Sequence, residues 1–371
     1  MKSKAALLFE SPGKYEVCDV DLDPPKEHEV LLRMVASGLC HSDVHYLVGD
    51  QPARVPMCGG HEGAGVIEEV GAGVVGLKPG DHVVVSFIPS CGRCRYCAAG
   101  RSNLCALGVS LQAGPQLDGT YRMHLDGRDI HQFLMISTFS AWSVVSEHSV
   151  VKIPHDVPLE TVCLLGCGVG TGFGSAVNAA DVHAGDTVIV MGVGGVGINA
   201  VQGAALAGAT TVIAVDPQAF KREMALKLGA THAVAHISEA ADLARSVTDG
   251  QGAESAIVTV DVPTGEHVAE AFDAVAKGGT VVLTGIASAK ADTGIPVSMA
   301  LLTGYQKRIQ GALFGMCSPP RDILRQVDMY RSGHLKLDEL ITRRYAVGQI
   351  NDAVDDLLAG RNIRGVIVHE H

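Results

Sequence analysis

The sequence lacks an excess of positive charge: 40 Asp and Glu residues outnumber 29 Lys and Arg residues, giving a formal charge of −11. Proteins that bind nucleic acid or an anionic membrane surface rely on basic patches. The composition therefore argues against both kinds of partner. The chain also lacks internal repeats, low-complexity segments and flexible linkers.

We also expect no secretion signal, because the apolar run within residues 1–10 is too short for the h-region of a signal peptide. Ten cysteines in such a chain favour metal or thiol chemistry over a disulfide framework. We therefore expect a cytoplasmic protein.

Residues 187–215 lack any charged side chain and are numerous enough to span a bilayer. However, Asn199, Gln202 and a glycine cluster interrupt the run, and Asp186 and Asp216 bracket it. A strand, a turn, a helix and a second strand explain this segment better than a membrane helix.

A length of 371 residues predicts two domains. Residues 1–165 contain short apolar runs separated by turn signals, which is typical of a β-rich domain. After residue 165, predicted strands alternate with helices, which indicates a doubly wound parallel sheet. The predicted helices cover residues 220–228, 266–276, 322–331 and 349–358, with glycines at 229 and 278–279 as helix stops.

The stretch from Cys40 to Glu62 carries a thiol and an imidazole, Cys40 and His61, which are the usual ligand types for zinc. Ser42 and His45 follow closely, and a proton that leaves a metal-bound substrate needs such groups. A buried Cys with two incidental surface His residues is the alternative from this stretch alone. A catalytic zinc needs three protein ligands and one open position, so a third ligand must come from elsewhere.

Four further cysteines, Cys91, Cys94, Cys97 and Cys105, lie within fifteen residues. They can fill every position of a tetrahedral structural zinc, which would order a loop without binding substrate. Two disulfides are the less favoured alternative, because the spacing is tight and no secretion signal precedes it.

A dinucleotide-binding pattern begins after the predicted strand at 186–191. Gly192, Gly194 and Gly197 form G-x-G-x-x-G, with Val193, Gly195 and Val196 between them, and an alanine-rich helix follows up to Gly208. The next strand ends on Asp216, nineteen residues after Gly197. An acid there can bind the adenosine ribose and would repel a 2′-phosphate, so the pattern favours NAD(H) over NADP(H). The alternative is an ordinary βαβ unit without a ligand.

These residues together resemble the zinc-dependent medium-chain alcohol dehydrogenases over essentially the whole chain, and most of all their nitrosoaniline-dependent, nicotinoprotein-like bacterial branch. The resemblance rests on Gly60-His61-Glu62-Gly63-Ala64-Gly65, the four-cysteine segment, Gln116-Leu117-Asp118-Gly119-Thr120, Gly166-Cys167-Gly168, the glycine fingerprint and Gly360-Arg361-Asn362-Ile363-Arg364-Gly365. It implies an α/β fold: a GroES-like (chaperonin-10-like) β-barrel catalytic domain plus a doubly wound parallel (Rossmann) sheet. The implied domains are 1–168 with a zinc lobe at about 90–106, then 169–311 for NAD, then 312–371 returning to the catalytic domain.

The resemblance also implies a role for individual residues. Cys167 is the implied third ligand of the catalytic zinc. The other implied roles are proton relay for Ser42 and His45, support of the zinc ligands for Asp43 and Glu62, cofactor contact for His41, Lys221 and Arg364, nicotinamide packing for Thr171, and an apolar substrate pocket for Phe87, Phe133 and Leu134. His41 stands where many relatives have Arg, which implies a weaker pyrophosphate contact.

The implied reaction is reversible hydride transfer between a primary or secondary alcohol and NAD(H), in a homo-oligomer (dimer or tetramer), with tightly bound cofactor reoxidised by a second substrate. A thiol-adduct-dependent formaldehyde dehydrogenase is an alternative, but residues 106–109 lack the basic residue that holds a glutathione carboxylate in such relatives. A zinc-free quinone or enoyl reductase would lack the cysteines. A zinc-ribbon binding protein is the alternative from another class.

Overall fold

The computed structural model describes residues 1–290 and 294–371. The chain divides into two compact units: Met1–Cys167 together with Ser318–His371, and Gly168–Cys317. The first unit is therefore built from two separate stretches of the chain, and the second is one continuous stretch.

The described residues form eighteen strands and eleven α-helices. The strands are β1 (Lys2–Leu8), β2 (Tyr15–Leu22), β3 (Glu29–Leu39), β4 (Met57–Cys58), β5 (Gly63–Val70), β6 (His82–Val85), β7 (Met123–Leu125), β8 (Arg128–Gln132), β9 (Trp142–Ser146), β10 (Val150–Lys152), β11 (Thr187–Met191), β12 (Thr211–Val215), β13 (His232–Val234), β14 (Ala253–Val258), β15 (Val275–Leu283), β16 (Arg308–Gly311), β17 (Ile341–Ala346) and β18 (Arg364–Val368). The helices are α1 (His41–Leu47), α2 (Arg95–Ala98), α3 (Leu159–Val162), α4 (Gly168–Gly174), α5 (Gly197–Leu206), α6 (Ala219–Lys227), α7 (Ile237–Val247), α8 (Gly265–Ala274), α9 (Met299–Gly304), α10 (Pro319–Arg331) and α11 (Ile350–Leu358).

The first unit contains a closed barrel and a seven-stranded sheet. The barrel order is β1-β2-β7-β8-β4, and the sheet order is β10-β6-β5-β3-β18-β17 with β9 paired to β3. Successive side chains of a strand point to opposite faces. Accordingly Ala5 and Leu7 of β1 enter one apolar cluster, whereas Ala6 and Leu8 enter another. Strand β1 thus separates two layers of core.

The second unit contains a six-stranded parallel sheet in the order β13-β12-β11-β14-β15-β16. In chain order this is 3-2-1-4-5-6, the dinucleotide-binding arrangement. Strands β11 and β14 are apolar almost throughout because the sheet is covered, and Phe272 of α8 and Ala244 of α7 lie in its core. The expected fold class, a GroES-like barrel plus a doubly wound parallel sheet, is confirmed.

The expected helix at 266–276 is wrong at its C-terminal end. Helix α8 stops at Ala274, and β15 begins at once with Val275 in extended conformation (φ −85°, ψ 150°). The glycines at 278–279 lie inside β15 and do not end a helix. Pairing of β15 with β14 supplies backbone hydrogen bonds that outweigh the helical pattern of residues 266–276.

No single helix in the described part of the chain is both long and apolar enough to cross a membrane. One pair of helical segments with a bend between them, Leu159–Gly166 and Gly168–Ala179, is long and apolar enough when judged by length and composition only.

Candidate metal and dinucleotide sites

One buried cluster in the first unit brings together four groups from three separate segments. Cys40 lies between β3 and α1, His61 and Glu62 lie in the connection from β4 to β5, and Cys167 follows the short helical turn Cys163–Gly166. The ligand atoms of these four residues all lie within 4.8 Å of one another, and all four side chains are buried. Four ligand atoms this close together could hold a metal ion.

A glycine places His61. Gly60 has φ +88°, which L side chains rarely adopt, and a Cβ there would lie 2.4 Å from the backbone nitrogen of Phe139. The chain can therefore turn tightly against residues 138–139 and enter β5 with His61 facing inward. The amides of Thr138 and Phe139 hydrogen-bond to the carbonyls of Gly60 and Gly59.

Asp43 links two of the candidate ligands. Its Oδ1 accepts a hydrogen bond from Nδ1 of His61 at 2.9 Å, and its Oδ2 accepts one from the backbone amide of Cys40 at 3.1 Å. The other ring nitrogen of His61, Nε2, is buried and has no hydrogen-bond partner among the described residues. Because Asp43 fixes the proton on Nδ1, the lone pair of Nε2 is available to a metal.

The two thiols of the cluster share a proton. A hydrogen bond from Cys167 holds the pKa of Cys40 well below its usual range, and that bond together with burial holds the pKa of Cys167 well above. Two cysteine sulfurs and one imidazole nitrogen form the donor set of a catalytic zinc with one position left open. The residues present therefore fit a zinc ion, which would displace the shared proton.

The fourth member of the cluster, Glu62, forms a buried ion pair with Arg364. Burial raises the pKa of Glu62 to about 7, although the charge of Arg364 opposes the rise. Arg364 also donates to the carbonyl of Leu39 at 3.2 Å. The guanidinium expected at the cofactor thus faces Glu62, and its cofactor contact stays a prediction.

The expected proton-relay residues lie on α1. Ser42 Oγ lies 3.8 Å from Cys40 Sγ, and Cys40, not Ser42, is the N-cap of the helix. His45 is 4% exposed, so it is not an incidental surface histidine, and its Nδ1 lies 3.4 Å from Oδ2 of Asp50. His41, the first residue of α1, is half-buried.

Aromatic side chains enclose His61. The rings of Phe87 and Phe133 meet it edge-on at centroid distances of 5.8 Å and 5.6 Å. Leu134 and Met135 follow Phe133 with φ +51° and +63°, a backbone conformation that only tight local packing maintains. The expected pocket residues Phe87 and Phe133 therefore lie against the metal cluster.

Sequence reasoning missed Tyr46 and Asp50. The ring of Tyr46 contacts that of Phe133 at 4.8 Å, and Asp50 contacts His45. Tyr46 directly follows His45, and Asp50 lies five residues after it, beyond the end of α1. Their proximity to the relay histidine in the sequence was the only signal that could have found them.

The four-cysteine segment forms a second cluster, with sulfur atoms within 4.8 Å of one another. None of the ten cysteines, all in the described part of the chain, forms a disulfide, and the sulfurs of Cys91 and Cys97 are 3.9 Å apart. Backbone amides of Cys91, Cys94 and Cys97 donate to cluster sulfurs at 3.4 Å. The amide of Cys97 leads the effects that lower the pKa of Cys94 to about 6, whereas burial raises the pKa of Cys105 to about 12. Four sulfurs this close together fit a closed zinc site.

The glycine fingerprint in the second unit joins β11 to α5. A Cβ on Gly197 would lie 1.9 Å from the carbonyl oxygen of Gly192, so only glycine permits this close turn. Asp216 Oδ2 accepts a hydrogen bond from the amide of Val193 at 3.1 Å, and Lys221 Nζ lies 3.9 Å from the ideal Cβ position of Gly194. The loop, the acid and a cation are thus gathered at the N-terminus of α5, where a pyrophosphate would find amides and positive charge. Gly195 and Val196 complete the loop, and Thr171 lies buried on α4 of the same unit.

Comparison with known proteins identifies the family. The family described as "Alcohol dehydrogenase GroES-like domain" matches residues 26–155, and that described as "Zinc-binding dehydrogenase" matches residues 195–329. The NDMA-dependent alcohol dehydrogenase of Amycolatopsis methanolica is 52% identical over 369 residues, covering 100% of this chain and 99% of that protein.

Two solved structures match the fold of this chain over its full length. An alcohol dehydrogenase zinc-binding domain protein from Burkholderia ambifaria has a TM-score of 0.93 at 32% identity, and benzyl alcohol dehydrogenase from Acinetobacter calcoaceticus has 0.92 at 30%. In both comparisons 100% of each chain is covered. The chain therefore belongs to the zinc-dependent medium-chain alcohol dehydrogenases, oxidoreductases that use zinc and a nicotinamide cofactor on small alcohols or aldehydes, and within them it is similar to the NDMA-dependent enzyme.

Proposed function

We propose that this alcohol dehydrogenase transfers a hydride between an alcohol and NAD(H) at a zinc held by Cys40, His61 and Cys167. The observation that carries the assignment is the meeting of two buried sulfurs with a buried imidazole nitrogen that has no hydrogen-bond partner in the described part of the chain. A zinc ion held here would supply Lewis-acid chemistry, which would lower the pKa of an alcohol hydroxyl or polarise an aldehyde carbonyl.

The protein groups around the cluster position and move protons. Asp43 holds the imidazole of His61 in the coordinating tautomer. Ser42 accepts the hydroxyl proton of the alcohol, and His45 carries it toward solvent with Asp50 as its acidic partner. Phe87 and Phe133 exclude water from the reacting atoms.

The four sulfurs of Cys91, Cys94, Cys97 and Cys105 would hold a second zinc per chain. With four thiolate ligands this site has no open position, so its role is to order the lobe. The amides that donate to the sulfurs, and the absence of any disulfide among the ten cysteines, support this role over covalent cross-linking.

The second unit is the NAD(H)-binding domain, and the first is the catalytic domain. Asp216, buried at the end of β12 beside the glycine loop, favours NAD(H) because a carboxylate there repels a 2′-phosphate. The candidates for pyrophosphate contacts are Lys221 of the second unit and His41 of the first, and the candidate for the nicotinamide contact is Thr171. The homo-oligomeric state and the cytoplasmic location stay predictions.

The cofactor stays bound between turnovers. The 52% identity to an NDMA-dependent alcohol dehydrogenase supports this, because an enzyme that never releases its NADH needs a second molecule, such as this artificial acceptor, to reoxidise the bound cofactor. The purified protein should show a reduced-nicotinamide absorbance band and oxidise an alcohol with a nitrosoaniline acceptor and no added NAD. Protein that is cofactor-free and active only with added NAD would contradict bound cofactor and leave the zinc assignment intact.

Metal analysis of two cysteine variants tests the zinc assignment. Cys167→Ser should retain about one zinc per chain instead of two and lose turnover. Cys163→Ser is the matched control, because Cys163 is also buried and lies only four residues away but outside the cluster. Equal metal content in the two variants would refute the assignment of Cys167.

A further inference from the structure

The loop that carries His61, residues 58–62, is held along its length by one buried segment, residues 137–139. Four carbonyls of the loop accept a hydrogen bond from this segment: those of Cys58, Gly59, Gly60 and Glu62. The donors are the hydroxyls of Ser137 and Thr138 and the amides of Thr138 and Phe139, at distances from 2.6 Å to 3.0 Å. The position of His61 therefore depends on where this segment lies.

Thr138 fills the space on both sides of His61 and Glu62. An ideal Cβ on Gly60 would lie 2.6 Å from Thr138 Oγ1, and one on Gly63 would lie 2.8 Å from Thr138 Cγ2. The side chain of Thr138 is fully buried. Because the two glycines flank His61 and Glu62 in the chain, a displacement of Thr138 must displace both of these residues.

The carbonyl of Thr138 is in turn fixed by two side chains. Ser37 Oγ donates a hydrogen bond to it, and His369 Nε2 lies 3.1 Å from it and 3.0 Å from Ser37 Oγ. A carbonyl can only accept, so Nε2 of His369 carries the ring proton. Burial leads the effects that lower the pKa of His369 to about 4, so the ring is neutral and this N–H is its only donor.

Both side chains come from strands that lead to the metal cluster. Ser37 lies on β3, three residues before Cys40. His369 directly follows β18, and the first residue of that strand, Arg364, forms the ion pair with Glu62. Strand β18 is therefore attached to the metal cluster at both ends, at its start through Glu62 and at its end through His369.

We propose that His369 is a positioning residue for the catalytic zinc and acts through the carbonyl of Thr138 on the loop that carries His61. The proposal rests on the proposed function, which assigns His61 to that zinc. Removal of the Nε2 donor leaves the carbonyl of Thr138 with Ser37 as its only side-chain donor, so residues 137–139 become free to shift. Loss of a group that orients a metal ligand typically costs about 10- to 100-fold in metal affinity. His369 acts one step further away, so we expect about tenfold.

The zinc affinity of His369 variants, measured by competition with a chelator, tests the proposal. The catalytic zinc is identified as the ion whose release parallels the loss of turnover. His369→Leu removes the donor but keeps an apolar group of similar size, and it should weaken binding of this zinc about tenfold. His369→Gln returns an N–H near the position of Nε2 and should restore most of the affinity.

Cobalt(II) in place of zinc gives a second measurement, because its visible absorbance depends on the ligand geometry. The bands of His369→Leu should differ from those of the unsubstituted enzyme, and those of His369→Gln should match them. A purely structural role of His369 would lower the thermal midpoint without changing these bands.

His371→Leu is the matched control, because His371 also follows β18 and its Nε2 also lies close to a backbone carbonyl, 2.7 Å from that of Met34. It should leave the zinc affinity and the cobalt bands unchanged. A zinc affinity that His369→Leu leaves within about twofold, or that His371→Leu lowers equally, would overturn the proposal. If His369→Leu does not fold, Ser37→Ala decides in its place, since it removes the other donor to the same carbonyl and must also weaken zinc binding.

Failure of the proposed function would give a different result. An unsubstituted enzyme that holds zinc only in the lobe would refute both the assignment of the catalytic zinc and the role of His369. If both zinc ions are present and the affinity does not depend on His369, only the role of His369 is refuted.

Discussion

Replacing Gly38 of β3 should destabilise the first unit, because this glycine lies against the ion pair that borders the metal cluster. A Cβ at this position would lie 2.1 Å from Oε2 of Glu62, 2.9 Å from Nη2 of Arg364 and 3.0 Å from a methyl carbon of Leu164. Real Cβ contacts are essentially never shorter than 3.0 Å. In Gly38→Ala the carboxylate of Glu62 must therefore move by roughly 1 Å. The oxygen that must move, Oε2, is the one that accepts a hydrogen bond from Arg364.

The expected cost follows from two limits. Inserting one methyl group into a packed core costs about 1–3 kcal/mol when neighbours shift and keep their bonds. Separating a buried ion pair costs about 3–5 kcal/mol, and the side chains of Glu62 and Arg364 are 0% and 3% exposed. Because the shift loosens the pair without removing a partner, we expect a loss of about 2–4 kcal/mol in the free energy of unfolding.

The only tryptophan of the chain provides the assay. Trp142 lies on β9, which pairs with β3, so its fluorescence during urea unfolding reports on the unit that contains Gly38. Gly348→Ala is the matched control, because a Cβ there meets nothing within 4 Å and its φ is not positive. If Gly38→Ala unfolds at the same urea concentration as the control, Glu62 relocates without cost and the reasoning is refuted.

Four other substitutions test the assigned roles. Cys94→Ser should release about one zinc per chain and lower the thermal midpoint, because a closed zinc site contributes folding energy; unchanged metal content would refute this. Asp216→Ser should raise the affinity for NADP relative to NAD in equilibrium binding, and a constant ratio would place Asp216 away from the ribose. Ser42→Ala should reduce turnover severely at every pH, whereas His45→Gln should cost less and recover with added imidazole; equal, unrescued losses would argue for a structural role of His45.

Local sequence was sufficient to predict a site wherever the functional residues and the backbone conformation that positions them lie in one segment. The turn between β11 and α5 is encoded by glycines whose Cβ atoms would collide, and a strand that ends on Asp216 follows within the same βαβ unit. The four-cysteine lobe closes within fifteen residues, so its spacing alone predicted a metal cluster. Helix α1 likewise carries Asp43 and His45 next to Cys40.

The remaining contacts of the site depend on packing between residues that are far apart in the sequence, and no local sequence pattern reveals such packing. Arg364 meets Glu62 across 302 residues of sequence, and Arg122 is fully buried against Glu29 across 93. Assigning Cys167 to the cluster required a family resemblance, since only the folded chain brings it to Cys40 and His61.

The two metal clusters should respond differently to the loss of zinc, because only one is part of a core. The cluster of Cys40, His61 and Cys167 is surrounded by buried side chains, and its polar groups are paired: Asp43 hydrogen-bonds to His61, Glu62 forms an ion pair with Arg364, and a hydrogen bond links the two thiols. Such balance reduces the cost of burying charge, so the first unit can retain its fold without the ion. The lobe has no comparable support: α2 buries no residue, and three of its four cysteines are partly exposed. Mild chelation should therefore abolish turnover before it changes Trp142 fluorescence. Removal of the lobe zinc should instead expose the lobe to proteolysis. If a protease cleaves the lobe and the rest of the first unit at equal rates after zinc removal, the proposed difference between the two clusters is contradicted.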